Sequence, residues 1–142
     1  MLAGTGWHYS ELRRFAEAGE VEPLPRSERK GKTVAALIVK HKSGAPHATR
    51  VNKPVLAAAK RLRAKEHLPE IELWRVLKAK SLELGIDPVI APGRLRHAVA
   101  TWAKLKGVPL ASISTFLGHR SARTTQRFYA VHGSPAKVWT PV

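Results

Sequence analysis

Three side chains in the last third of the chain have types and spacing suited to attack on a phosphodiester. Arg96 lies in an apolar helical pattern, His119 follows a Leu-Gly break, and Tyr129 comes ten residues after that histidine. A phenol is a poor nucleophile at its ordinary pKa of about 10, so Tyr129 would need a phosphate held beside it by cations and hydrogen-bond donors. Arg96 and His119 are such donors, and the planar guanidinium of arginine matches two phosphate oxygens.

The composition of the chain indicates a polyanionic partner. Its 142 residues include 25 Lys and Arg against 10 Asp and Glu, which gives a formal charge of +15 and a pI near 11.0. Such an excess is typical of nucleic-acid binders. We therefore expect a nucleic acid as the partner, bound mainly through its phosphates, with an affinity that falls as the salt concentration rises.

Several classes of protein are excluded by what the sequence lacks. It contains no cysteine, so disulfides and thiolate metal sites are excluded. It has no apolar run long enough to cross a bilayer, and its first residues lack the pattern of a secretion signal. We expect a cytoplasmic protein with one hydrophobic core. Four histidines lack zinc-like spacing, and we interpret them as surface residues: His41, His47, His67 and His132.

A predicted β-hairpin carries a further basic candidate. Residues 34–39 are apolar and rich in strand-forming types, a Ser-Gly pair supplies a turn, and residues 49–51 allow a return strand. Lys42 lies near the predicted tip. The preceding segment, residues 20–32, contains two prolines and several charges, and we predict a loop or an irregular crossing there.

The rest of the chain has helical periodicity. Apolar residues recur at helical spacing, Ser10 is the predicted cap of the first helix, and glycines mark the predicted ends of several others. We predict helices over residues 10–19, 54–65, 68–84, 94–106, 109–117 and 121–130, with stops at Gly85, Gly107 and Gly118 and an irregular tail over residues 132–142.

Arg96 lies off the apolar stripe of its predicted helix, in line with Ala100 and Ala103. Two interpretations are open. Small neighbours would let a nucleic-acid backbone come close to the guanidinium, or they would allow a tight contact with another helix. His97, the next residue, is interpreted as a packed structural histidine.

These residues lie in segments that resemble the boxes of the tyrosine recombinases, the family of phage integrases and chromosome-dimer resolving recombinases. The segments are Thr5–Leu12, His41–Gly44, Leu95–His97, Leu117–His119 and Thr124–Gln126 with the aromatics that follow. The resemblance implies a mainly helical α+β fold, a helical bundle with a small antiparallel β-hairpin or sheet at one edge. It also implies a catalytic domain over residues 1–131, without the N-terminal core-binding domain, followed by the tail.

The resemblance implies a reaction without metal or cofactor. Tyr129 would attack the scissile phosphate and form a 3′-phosphotyrosyl link, with Arg96 and His119 as phosphate donors and Lys42 as the general acid toward the leaving 5′-oxygen. The family pattern implies double-stranded DNA as the partner and self-association on paired DNA sites, and we expect a monomer when the chain is free. DNA contacts are predicted at the basic residues around the boxes: Lys40, Arg50, Arg94, Arg120 and Arg123.

Two positions depart from the family pattern. His8 stands where the first box has an arginine, and Gly93 stands where the second box has a histidine, three residues before Arg96. The loss of acid–base help of that kind typically slows a reaction by about 10²–10⁴-fold. We expect slow cleavage or none. The alternatives are a silent DNA-binding remnant of the same fold and, more remotely, an unrelated basic helical DNA binder.

The position of the tyrosine also leaves an alternative open. Many family members place the nucleophile nine residues after the Leu-Gly-His histidine, which here is Phe128, and others place it ten after, which is Tyr129. Phe128 has no hydroxyl, so Tyr129 is the candidate at this segment. Its other interpretation is a core aromatic residue beside Phe128. Adjacent residues of a helix point in different directions, so we expect one of the two in the core and the other at the site.

Overall fold

The structure is a computed structural model that describes residues 1–64 and 69–119. The chain divides into two compact units, Met1–Ala100 and Thr101–Val142. The elements, in chain order, are α1 (Leu2–Thr5), α2 (Tyr9–Ala18), β1 (Glu20–Pro23), a short 3₁₀ turn (Arg26–Glu28), β2 (Thr33–Lys40), β3 (Pro46–Asn52), α3 (Lys53–Ala64), α4 (Glu70–Glu83), α5 (Pro92–Leu105) and α6 (Leu110–Phe116).

The strands form one antiparallel sheet in the order β1-β2-β3. The predicted hairpin is confirmed, and it is longer than expected: Leu37 of β2 pairs with Thr49 of β3. The prediction of a loop over residues 20–32 was wrong at its start, because Glu20–Pro23 pairs with β2 as an edge strand. Charges and a proline are tolerated at a sheet edge. Because of them, the segment lacks the apolar residues by which a strand is recognised in a sequence.

The core of the first unit lies between this sheet and helices α2 and α3. Trp7 and Phe15 are fully buried with ring centroids 5.3 Å apart, and Leu37 and Val39 project onto them from β2. α3 adds the buried Ala59, whose small side chain suits close approach of a helix to a sheet. The segment that resembles the first box therefore lies at the centre of the packing.

The predicted glycine stops at Gly85, Gly107 and Gly118 are all confirmed. Each has a positive φ, between 65° and 75°, a region that side chains with a Cβ rarely adopt. At each of them, the glycine N–H and the N–H of the next residue bond back to carbonyls three and five residues earlier. This is the Schellman arrangement, which satisfies the last carbonyls of a helix.

The first long helix begins earlier than predicted. α2 starts at Tyr9, and its cap is the backbone around His8, where the Glu11 carboxylate accepts the His8 N–H at 2.9 Å. Ser10 lies inside the helix and is not its cap. The short α1 before it was not predicted, and it ends at Gly6, whose φ is 65°.

The connection that precedes α5 is attached to α4 by a buried serine. Ser81 Oγ donates to the Leu77 carbonyl at 2.7 Å and accepts the Ile90 N–H at 2.9 Å, while the Ser81 carbonyl accepts the Ile86 N–H at 2.8 Å. Ser81 is 1% exposed, so these bonds are shielded from water. They hold the start of α5, and with it Arg96, relative to α4.

The predicted fold class is confirmed: the protein is mainly helical with a small antiparallel sheet. The sheet has three strands in the described residues, against the two of the predicted hairpin. Within residues 1–64 and 69–119, no helix combines the length and the apolar character needed to span a bilayer.

Candidate active site

Glu11, in the first turn of α2, is the residue on which the predicted site segments of the first unit converge. Its side chain is only 7% exposed. Oε2 accepts the backbone N–H of His8 at 2.9 Å and lies 3.6 Å from Nη1 of Arg96. Oε1 lies 2.8 Å from Nδ1 of His41. One buried carboxylate thus touches the first box, the hairpin and α5, and this shared partner was not predicted from the sequence.

Arg96 is buried, with 7% exposure, and its guanidinium bonds to the first box. Nη1 donates to the Gly6 carbonyl at 2.7 Å. That carbonyl is available because Gly6 ends α1 in the left-handed conformation, which explains the Thr-Gly pair of the first box in physical terms. A buried arginine held by a carbonyl and a carboxylate has a fixed position and a compensated charge.

The face of α5 that carries Arg96 is its buried face. Pro92, Arg96 and Ala100 are the buried residues of the helix. The predicted apolar stripe includes Trp102 and Leu105, which are 41% and 46% exposed. Arg96 and Ala100 therefore lie on the buried face of α5, where the guanidinium contacts the end of α1 and the first turn of α2.

His8, at the first-box arginine position, has a lowered pKa. Its ring reaches the surface, but neighbouring atoms remove part of its hydration, and this is the first cause of the lowered pKa, followed by the positive charge of Arg96. Because an unperturbed histidine already titrates near pH 6.5, His8 is neutral at pH 7. In its neutral form it can donate one hydrogen bond to a phosphate, but it brings no charge of its own.

Gly93, at the second-box histidine position, lies exposed in the first turn of α5. A Cβ built on it meets no heavy atom within 4 Å, and its φ lies outside the left-handed region. The backbone would therefore accept a histidine at this position. The absence of an imidazole here is a property of the sequence and does not reflect a lack of space.

Lys42 lies where it was predicted, in the turn between β2 and β3, and it is exposed. The turn is closed by the His41 N–H, which donates to the Ala45 carbonyl at 2.8 Å, and by the Gly44 N–H, which donates to the His41 carbonyl at 2.8 Å. Gly44 has a φ of 84°. The lysine is therefore presented to solvent on a tight turn whose backbone geometry depends on glycine.

The two histidines beside this turn were interpreted as surface residues, and that was wrong. The His41 and His47 rings stack with centroids 4.7 Å apart. Nε2 of His47 lies 3.1 Å from the Thr49 hydroxyl, which also accepts the Trp7 indole N–H at 2.9 Å. Their positions just outside the predicted strands were the available signal, because residues flanking a hairpin turn face each other across the ladder.

His119 belongs to the second unit, where it follows α6 and is half-buried. Gly118 has a φ of 69°, and the His119 N–H donates to the Ser114 carbonyl at 2.9 Å. The Leu-Gly-His sequence is thus a helix end: leucine is the C-terminal cap that follows Phe116, glycine makes the left-handed turn and histidine is the first residue after it.

The remaining predicted site residues are distributed as follows. Lys40 and Arg94 are exposed, and Arg50 is exposed with Nη2 3.5 Å from the Glu28 carboxylate. Tyr129, Arg120 and Arg123 lie outside the described residues. His97 is exposed, so its interpretation as a packed histidine was wrong.

In the parts of the chain that the structure describes, no group of three or more His, Asp or Glu side chains could hold a metal ion.

Residues 26–134 match the model of the phage integrase family, and this range is more than three quarters of the chain. It includes Lys42, Arg96, His119 and Tyr129, while the first box precedes it. Tyrosine recombinase XerA of Pyrococcus furiosus is 35% identical over 80 residues, which are 56% of this chain and 27% of that protein. Tyrosine recombinase XerD of Listeria monocytogenes is 42% identical over 53 residues, which are 37% of this chain and 18% of that protein.

Solved structures share the fold over nearly the whole chain. XerH site-specific recombinase, bound to palindromic difH substrate in a post-cleavage complex, matches with a TM-score of 0.68 and 15% identity, over 93% of this chain and 40% of XerH. A protelomerase covalently complexed with substrate DNA matches with a TM-score of 0.65 and 20% identity, over 89% of this chain and 49% of that one. The chain therefore spans less than half the length of these relatives.

Proposed function

Because the chain belongs to the phage integrase family, we propose that residues 1–131 are the catalytic part of a site-specific DNA recombinase. Its reaction cleaves and rejoins double-stranded DNA through a 3′-phosphotyrosyl intermediate. The observation that carries the proposal is the bond from Arg96 to the Gly6 carbonyl, since it joins the second box to the first. A fixed arginine suits phosphoryl transfer, which depends on the placement of charge.

In this proposal each step uses a named side chain. The Tyr129 oxygen bonds to phosphorus as the bond from phosphorus to the 5′-oxygen breaks, and the phenolic proton leaves to solvent. Lys42 gives a proton to the departing 5′-oxygen, while Arg96 and His119 donate to the non-bridging oxygens. The 5′-hydroxyl of a partner strand then attacks the phosphotyrosine and releases Tyr129.

We propose that DNA is held through its phosphates by basic residues around the boxes. Lys40 and Arg94 support this because both are exposed, and Arg50 would exchange its contact with Glu28 for a phosphate. Arg120 and Arg123 complete the proposed set. The chain is proposed to be monomeric when free and to self-associate on paired DNA sites.

The two departures from the family pattern predict a slow reaction. His8 is neutral at pH 7 and lacks the guanidinium that would share the phosphate charge, and Gly93 has no side chain for proton transfer. A silent DNA-binding remnant is the alternative outcome. A slow recombinase forms a covalent adduct with DNA, whereas a silent DNA-binding remnant forms none.

The experiment uses a pool of nicked duplexes with randomised sequence around the scissile phosphate, which traps the covalent intermediate. After incubation, protein–DNA adducts are isolated on a denaturing gel and their DNA is sequenced. We expect a faint adduct that disappears in Tyr129→Phe. Tyr9→Phe is the matched control, because Tyr9 is the chain's other tyrosine and burial, followed by the Glu70 carboxylate, raises its pKa. It should leave the adduct unchanged.

Restoration of the family residues sharpens the same assay. The double variant His8→Arg, Gly93→His should increase the adduct by at least about tenfold, since general acid–base help is typically worth about 10²–10⁴-fold. The space around Gly93 supports this choice of substitution. If neither the wild type nor the double variant yields an adduct that depends on Tyr129, the protein is a silent DNA binder.

A further inference from the structure

The turn that carries Lys42 is attached to the body of the first unit at its flanking histidines. Residues 42–46 are all exposed, while His41 and His47 on either side are partly buried and stack on each other. Nδ1 of His41 lies 2.8 Å from Oε1 of Glu11. A carboxylate can only accept a hydrogen bond, so Nδ1 is the donor and the tautomer is defined by this contact.

The same carboxylate also lies beside the arginine on α5. Glu11 Oε2 lies 3.6 Å from Arg96 Nη1, so its two oxygens face two different elements of the site. Glu11 itself is fixed, because it is buried in α2 and accepts the His8 N–H. Arg96 also donates to the Gly6 carbonyl at 2.7 Å, so the loss of the His41 contact leaves the partners of the arginine in place.

We propose that His41 is a positioning residue, whose contact with Glu11 holds the β2–β3 turn so that the Lys42 ammonium group stays within reach of the phosphate bound by Arg96. This inference rests on the proposed function, because it assigns His41 a role in the same strand-cleavage reaction. His41 touches neither the substrate nor the reacting atoms. It acts through the backbone of the next residue.

The assignment predicts which bond-breaking step needs His41. Lys42 protonates the leaving 5′-oxygen, so a misplaced lysine leaves that oxygen to depart as an alkoxide. If the 5′-oxygen is replaced by sulfur, the leaving group is a thiolate, which needs little help because a thiol has a pKa of about 8.5 against about 16 for water. Loss of His41 should therefore matter for the oxygen substrate and not for the sulfur substrate.

The test compares rates of adduct formation on two forms of the nicked pool, one with ordinary phosphodiesters and one with a 5′-bridging phosphorothiolate at the scissile position. We expect His41→Ala to slow cleavage of the ordinary substrate by about 10- to 100-fold, the size of effect expected from misplacing a catalytic group by about 1 Å. On the phosphorothiolate it should remain within about threefold of the wild type, and Lys42→Ala should show the same pattern.

Two further variants separate positioning from a general loss of structure. His41→Asn keeps a donor near the position of Nδ1 and should recover part of the rate on the ordinary substrate. Arg96→Lys is the contrast, because it weakens phosphate binding and should be slow on both substrates. If His41→Ala cleaves the ordinary substrate at the wild-type rate, or slows both substrates equally, the inference is overturned.

A measurement independent of activity tests the attachment itself. Hydrogen exchange at the Gly44 amide, which closes the turn, should be faster in His41→Ala, while exchange at amides inside α2 should be unchanged. Unchanged exchange at Gly44 overturns the inference even where wild-type cleavage is normal. No adduct from the wild type on either substrate would mean that the proposed function has failed, and the role of His41 in cleavage would fail with it.

Discussion

The candidate site has a buried end, formed by Arg96 with Gly6 and Glu11, and an exposed β2–β3 turn that carries Lys42. The two differ in exposure and in how their side chains are held. Arg96 is 7% exposed and is held by a carbonyl and a carboxylate, both supplied by the first box. Lys42 is exposed on a turn closed by backbone hydrogen bonds, and its nearest described attachment to the core is the contact between its neighbour His41 and Glu11.

Under the proposed function, this difference suits the two roles. An arginine that is to bind a phosphate benefits from a fixed position, which its contacts with the Gly6 carbonyl and Glu11 provide. A lysine that is to protonate a leaving oxygen has to reach the substrate from solvent, and its exposed position on the turn allows this. Substitutions at the buried end should therefore change the free energy of unfolding, whereas substitution of Lys42 should change the rate of cleavage and leave that free energy almost unaltered.

The largest expected contrast is between Glu11→Ala and Lys42→Ala. Removal of Glu11 leaves Arg96 buried without its carboxylate and should lower the free energy of unfolding by about 3–5 kcal/mol. Lys42→Ala touches an exposed side chain and should change it by less than about 0.5 kcal/mol. Urea unfolding of the whole chain measures both changes, provided that the dependence of the free energy on urea concentration, the m-value, is the same in the variants and the wild type.

A second acidic residue on the same helix supplies the control. Glu17 is exposed and pairs with Arg13 at 3.5 Å, so Glu17→Ala should lower the free energy of unfolding by only about 0.3–0.5 kcal/mol. If Glu11→Ala and Glu17→Ala unfold at the same urea concentration, the contacts of Glu11 with Arg96 and His41 do not stabilise the fold more than the exposed pair of Glu17 and Arg13 does. Where Glu11→Ala is too unstable to study, Glu11→Gln keeps an acceptor and should show a smaller loss of the same sign.

A smaller effect is expected where the first box meets the sheet. Thr49→Val keeps the shape of a side chain that is 1% exposed but leaves the Trp7 indole N–H without its acceptor, and it should lower the free energy of unfolding by about 1–3 kcal/mol. Thr33→Val on β2 is the matched control, because it makes the same substitution at a less buried strand position. Equal losses in both variants would show that the Trp7 bond contributes nothing specific.

The elements of the fold could be predicted from the sequence where a local rule determined them. The glycine stops at Gly85, Gly107 and Gly118 followed from conformational freedom, and the hairpin followed from strand formers around a Ser-Gly turn. β1 could not be predicted, because an edge strand of four residues with charges and a proline has no periodic signal. Its pairing depends on β2, the next strand along the chain, and not on a pattern within the four residues themselves.

The sequence offers candidate site residues by type, but it does not give their environments. Lys42 and Arg96 remain predicted site residues, and only the structure shows that one is exposed and the other buried. Glu11 lies in the segment that resembles the first box, yet its contacts to His41 and Arg96 span 30 and 85 residues. Pair contacts of that range depend on the packing of several elements, and no local pattern encodes them.

The smallest expected effect concerns His8, at the border between the buried end and solvent. Its pKa is lowered by loss of hydration and then by Arg96 and His97, while Glu11 and Glu70 act in the opposite direction. As the pH falls below about 6.5, the unfolded chain binds a proton at this position before the folded chain does, so the free energy of unfolding decreases. Below the lowered pKa both states are protonated, and His8 adds no further slope.

The variant His8→Gln removes this titration while keeping the backbone N–H that Glu11 accepts. Between pH 7 and pH 5.5, the wild type should therefore lose more unfolding free energy than His8→Gln, as measured by urea unfolding at each pH. The contribution is modest because the ring reaches the surface, where water screens the charge of Arg96. An equal loss in the two proteins would show that His8 titrates alike in the folded and the unfolded chain, and that neither loss of hydration nor the charge of Arg96 disfavours its protonation.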